Sequence, residues 1–160
     1  MKISIFISLL FFISTGFLST NSNGSRVDKS AYYAALSSSK EAVINTQLAA
    51  LQLSSIPEKE AYEGALLMKK SGLIKSGAKE KLNLFKAGRT KLEDAITKDN
   101  NNIEYRFLRL IIQENAPKIV KYRNDMEQDS QLVRTNFKNL PQNLQLVITD
   151  YSKTSKVLKI

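Results

Sequence analysis

From residue 28 onward, apolar side chains recur at three- and four-residue intervals, and no stretch alternates apolar and polar positions between hairpin turns. That period belongs to helices with one buried face, not to strands. The first predicted helix opens at Asp28 or Ser30, either of which can cap it, and runs to about Leu53 without Gly or Pro. Tyr33, Leu36, Val43, Leu48 and Leu51 share its apolar face, and Ser37, Ser38 and Ser39 form a weak stretch inside it. Ser55-Ile56-Pro57-Glu58 then reads as a helix start, with a capping serine, a proline in the first turn and a glutamate three residues after the cap. The helix it opens reaches about Lys70 and carries Ala61, Ala65 and Met68, with Leu66 and Leu67, as its apolar face. Gly64 and Ala65 are small enough to admit a neighbouring helix, and Ser71-Gly72 ends the element.

After a basic connector from Leu73 to Ala78, a third helix spans about Lys79 to Lys98, with Leu82, Phe85, Gly88, Leu92, Ala95 and Ile96 on one face. Asp99 to Asn102 is turn chemistry. In the fourth helix, Ile103 to Asn115, the apolar residues Phe107, Leu108, Leu110, Ile111 and Ile112 cover most of the circumference, which predicts the most buried element. A fifth starts at Pro117 and carries Ile119, Val120, Tyr122, Met126, Leu132, Val133 and Phe137, with a break expected near Asn124-Asp125. Leu140-Pro141 introduces a last helix bearing Leu144, Val147, Ile148 and Tyr151. The expectation is therefore an all-α domain over residues 28–151, five to six helices paired as antiparallel hairpins in a bundle or short solenoid. Residues 152–160 are expected to fray.

The beginning of the chain has a different character. Lys2 is followed by Ile3 to Ile13, an uncharged apolar run of 11 residues, and then by the small and polar Ser14, Thr15, Gly16, Ser19 and Thr20. A positive start, an apolar centre and a small-residue region make a secretory signal, expected over residues 1–20 and followed by a flexible leader over 21–27. Even extended to Leu18 the run is shorter than the roughly 20 residues of a spanning helix. The chain is thus expected to be exported to the periplasm or beyond. What remains, about 140 residues, is the size of one domain.

Composition narrows the chemistry. Cysteine and histidine are both absent, which removes disulfides, the usual zinc sites, Ser-His-Asp triads and Cys-His dyads. Hydrophobic residues make up 42% of the chain, enough for a core, and Gly (6) and Pro (3) are scarce, which favours long helices over turn-rich sheet. The formal net charge is +9. Such a balance is compatible with anionic partners without requiring them. No catalytic, cofactor-binding or metal-ligating set emerges, and no cofactor is expected. The carboxylate pairs Glu58/Glu63, Glu93/Asp94 and Asp125/Asp129 would serve a hydrolase or lyase only if a pocket gathered at least two of them.

The stretch GRTKLEDAITKDNNN from Gly88, preceded by EAYEGALLMKK, resembles the paired helices of a tetratricopeptide repeat. In that family a small residue, a large apolar residue and an alanine recur at i, i+4 and i+7, ahead of a turn residue five positions later. Gly88, Leu92, Ala95 and Asn100 occupy those places, with Gly64, Ala65 and Met68 on the facing helix. Arg106 and Leu110 stand where the family has an aromatic residue and a glycine. The resemblance covers about residues 57–112 and implies stacked helical hairpins that present a surface to a protein or peptide. The segment LEDAI…NNIEYRFLRLIIQENAP is also similar to that of small exported helical proteins of the Bacteroidota, which implies a compartment and no activity.

Two further groups of residues are candidates for binding. Arg106, Arg109 and Gln113 lie at i, i+3 and i+7, on one stripe of the otherwise apolar fourth helix. The stripe is either a ligand-facing row, since guanidiniums clasp carboxylate or phosphate, or a structural one that pairs with Glu93, Glu104 or helix-end carbonyls. Between Lys69 and Lys91, eight basic residues meet one acidic one, a net +7 in 23 residues. Lys75, Lys79, Lys86 and Arg89 mark this patch, which is either a solvated face or a contact for anionic lipid, cell-wall polymer or nucleic acid. Aromatic interleaving is poor, so specific nucleic-acid recognition is not expected. Gly88, Leu92, Ala95, Phe107, Leu110 and Ile111 are the positions expected to set the packing.

Overall fold

The computed structural model describes residues 27–160. The expected signal (1–20) and nearly all of the leader lie outside them. Seven α-helices account for most of these residues, with no strand among them: α1 (Lys29–Ser37), α2 (Glu41–Gln52), α3 (Lys59–Ser71), α4 (Ala78–Lys98), α5 (Ile103–Asn115), α6 (Met126–Asn136) and α7 (Gln142–Thr154). Short 3-10 turns cover Lys118–Val120 and Phe137–Asn139.

Among these helices, only α1 and α5 start on a side-chain cap. Asp28 accepts hydrogen bonds from the backbone N–H groups of Ser30 (2.9 Å) and Ala31 (3.3 Å), and Asn102 accepts one from Tyr105 (3.3 Å). Both satisfy amides that a helix leaves unpaired at its start. The capping serine expected at Ser55 does not form a cap, because α3 begins at Lys59 and its N-cap position is Glu58, which makes no capping hydrogen bond.

The single helix expected from about 28 to Leu53 is two. Ser38 adopts an extended conformation (ψ 147°) and its hydroxyl accepts from the Lys40 amide at 3.0 Å. Serine side chains compete in this way for backbone groups that a helix would otherwise use. The break resets the helical phase, so Ile44 is fully buried in α2 whereas Val43, expected on the apolar face, is 39% exposed. A similar correction applies after Pro117. In place of a helix there is a 3-10 turn, followed by Lys121 in the left-handed region (φ 48°). That geometry throws Ile119, expected to be buried, into solvent at 87% exposure.

The largest helix–helix contact joins α3 and α4, which run antiparallel. They meet at glycines. A Cβ on Gly88 would stand 2.6 Å from the Gly64 carbonyl oxygen and 2.8 Å from the Met68 nitrogen, and one on Gly64 would stand 2.7 Å from the Gly88 carbonyl oxygen. Leu92 and Ala95, from the same face of α4, are buried in this joint. Against the pair lies α5, with Phe107, Leu108 and Leu110 fully buried, while Ile111 is only partly so. On its other side α6 packs antiparallel to α5, and α1 rests on α2, α3 and α7.

The C-terminus corrects another expectation. Rather than fraying from residue 152, α7 continues to Thr154 and the remainder folds back. Ser155 and Leu158 are buried, and Glu114 at the end of α5 holds the segment by accepting from Ser155 Oγ (2.7 Å), Tyr151 Oη (2.7 Å) and the Lys156 amide.

Candidate functional site

The stripe formed by Arg106, Arg109 and Gln113 on α5 faces α6, and its partners are protein groups. Arg109 donates Nε and Nη2 to the two carboxylate oxygens of Asp129, at 2.7 and 2.8 Å, and Nη1 to Glu93 at 2.9 Å. Asp125 lies 3.7 Å from the same guanidinium and also accepts from Gln113 Nε2 at 3.0 Å. Arg106 stands 3.7 Å from Asp129 and donates to the Asn100 carbonyl and side chain in the turn before α5. Glu93 in turn accepts from the Tyr122 hydroxyl, and Tyr122 packs edge-on against Phe85 and carries the Arg89 guanidinium over its ring at 4.9 Å. The structure thus gathers three of the carboxylates singled out in the sequence, Glu93, Asp125 and Asp129, but around a guanidinium and inside the α4–α5–α6 packing.

Asp129 is fully buried. Burial pushes its carboxyl above the ordinary aspartate range, and Arg109 and Arg106 pull back against that rise. Two buried atoms of the stripe, Arg106 Nε and Gln113 Oε1, have no hydrogen-bond partner among the described residues. Such a buried network adds little net stability, because the ions must first be stripped of water.

A second polar cluster was not legible in the sequence. Glu104 accepts from Tyr33 Oη (3.0 Å) and Tyr62 Oη (2.6 Å) and pairs with Lys29, so one carboxylate ties α1, α3 and α5 together. Tyr32 stacks on Tyr62 with ring centroids 4.1 Å apart and donates to the Tyr62 carbonyl. Burial first, and the Glu104 charge next, hold the Tyr33 and Tyr62 hydroxyls well above the ordinary tyrosine range, so both remain donors. The only local signal was a tyrosine pair at the start of a helix. Its partner lies more than seventy residues away.

The surface carries two open grooves on either side of the C-terminal half of α5, with Lys69, Ile112 and Asn115 lining both. The first, about 710 Å³, lies between α1, α5 and α7. The second, about 630 Å³, is walled by Met68 and Leu73 from the end of α3, Leu82 and Phe85 from α4, Ile112 from α5, and Ile119 and Val120 beyond Pro117. No acidic residue lines this second groove, whereas Lys69 and Lys81 do. Two large aliphatic side chains sit at its lip, Ile119 and the 41%-exposed Leu82. Arg106, Arg109 and Gln113 line neither groove.

Lys75, Lys79, Lys86 and Arg89 are all exposed, Lys75 in the connector and the other three along α4, and none of them lines the second groove. None has a carboxylate partner among the described residues. Among the described residues no group of three or more His, Cys, Asp or Glu is arranged to hold a metal ion, and no helix is long and apolar enough to cross a membrane.

No family model, curated protein or solved structure matches the chain.

Proposed function

We propose that the protein is an exported, non-catalytic helical module that docks a protein or peptide in the second groove, using a tetratricopeptide-like joint between α3 and α4 as its rigid wall. One observation carries this reading: an apolar groove whose lip presents Ile119 and Leu82 to water. Isolated exposed aliphatics need no explanation, but two beside a concave apolar surface mark an interaction site. The close approach of Gly64 and Gly88 supports the wall, because helices locked backbone to backbone cannot slide to close the groove. The test is recovery of partners from envelope extract at low salt, with folded wild-type protein and an Ile119→Asp variant. A partner held by the first and lost by the second is the expected result. Recovery of nothing above background, or equal recovery by both, overturns the proposal.

A second reading rests on the exposed Lys75, Lys79, Lys86 and Arg89, which have no carboxylate partner among the described residues and suit an anionic surface. It predicts binding to anionic vesicles or polymer that weakens steeply with salt and with neutralisation of Lys75, Lys79 and Lys86. Unchanged binding by that triple variant removes the patch from consideration.

A further inference from the structure

We infer that the occupant of the second groove is an acidic amphipathic helix of a partner protein, an assignment that rests on the docking reading above. The groove is apolar on its floor and lip, yet its two charged lining residues, Lys69 and Lys81, are both cationic and have no carboxylate partner among the described residues. A helix with aliphatic anchors on one face and glutamates or aspartates flanking them satisfies both features at once. The anchors fill the space between Met68, Phe85 and Ile112, and the carboxylates meet the ammonium groups at the rim. The stretch of α4 that lines the groove, Ala78 to Phe85, spans about 10 Å at 1.5 Å per residue, the separation of anchors at i and i+7 on a docked helix.

The alternatives fit less well. A second copy of the chain brings its own formal +9 to a cationic rim. A lipid bilayer is flat and would bridge the groove, touching Ile119 and leaving Met68 and Phe85 unfilled.

The experiment uses two synthetic helical peptides with the same leucine face, one flanked by glutamates and the other by lysines, titrated against the full mature chain. Phosphatidylglycerol vesicles form a third arm. The glutamate peptide is expected to bind at least about tenfold more tightly than the lysine peptide, with the gap narrowing as salt is raised. A Lys69→Glu/Lys81→Glu variant, with helicity checked by circular dichroism, is expected to invert the preference, and the uncharged Ile119→Asn to weaken both peptides. Equal affinities, or a preference that survives the charge reversal, overturn the assignment, as does vesicle binding that depends on Lys69 and Lys81 while neither peptide binds. If both peptides fail but Ile119-dependent recovery from envelope extract persists, the acidic helix is wrong and the docking reading stands. If that recovery fails as well, both fall.

Discussion

At Gly88 a hydrogen atom occupies the place where any other residue would put a carbon against backbone. The atoms it would meet, the Gly64 carbonyl oxygen at 2.6 Å and the Met68 nitrogen at 2.8 Å, cannot rotate away as a side chain can. Gly88→Ala is therefore expected to destabilise the protein, because overpacking costs about 1–3 kcal/mol or more and exceeds the roughly 1 kcal/mol gained in helix propensity. Gly72→Ala provides the opposite sign. Its new Cβ meets the Lys69 carbonyl oxygen at an ordinary 3.5 Å and φ is −76°, so a gain of about 0.4–1 kcal/mol is expected from the restricted unfolded chain. Urea unfolding of both variants checks the pair. The Arg109–Asp129 pair makes a second residue-scale prediction. Arg109→Met leaves a fully buried carboxylate without its bidentate partner and is expected to cost about 3–5 kcal/mol. Adding Asp129→Leu to that variant should recover much of the loss, which a double-mutant cycle in urea would register.

Elements in this chain are bounded by side chains that bond to nearby backbone and by docking of the segments between them. Ser38 ends α1, and the left-handed Lys121 turns the chain after Pro117 so that α6 can return along α5. The C-terminal segment is held from a distance. Its anchor, Leu158, is fully buried, so Leu158→Ala is expected to lower stability by about 2–5 kcal/mol, whereas a frayed tail would register no change. Glu114 makes the same docking sensitive to acid. Burial opposes its charge, but hydrogen bonds from Ser155 Oγ, the Lys156 amide and Tyr151 Oη outweigh burial and hold the carboxyl below the ordinary value of 4.5. Because the folded value is the lower one, this stabilisation is complete above 4.5 and is lost as pH falls through the folded value. Glu114→Gln is accordingly expected to lower the urea midpoint at neutral pH, with the gap to wild type closing as the solution is acidified below 4.5. A gap independent of pH would assign the loss to packing instead.

Among the described residues, one cluster of buried side chains runs from Tyr32 in α1 to Leu158 in the tail. All six tyrosines lie among the described residues, and five of them are buried. Unfolding is expected to be one cooperative step, with tyrosine fluorescence and far-ultraviolet circular dichroism giving coincident urea curves. Separate transitions would mean that the α1–α2 end and the α5–α6 end melt independently. The same scale contains the asymmetry on which the binding proposals rest. Carboxylates are drawn inward to Arg109, and Glu104 is drawn in by tyrosines and Lys29, while the half-buried Lys69 and Lys81 at the second groove have no carboxylate partner among the described residues.

The amino-acid order alone determined that the domain is helical, and it placed Gly64, Gly88, Leu92 and Ala95 on packing faces. Those properties depend on spacing of 3.6 residues per turn and on side-chain size, and both can be read locally. It did not reveal the break at Ser38, because a serine's bond to its neighbouring backbone competes with a helix on nearly equal terms. Nor did it pair Glu104 with Tyr33 and Tyr62, seat Leu158, or expose Ile119. Each of those outcomes depends on which residues distant in the chain arrive at the same place, and on whether water is excluded there. Only the assembled tertiary structure decided that.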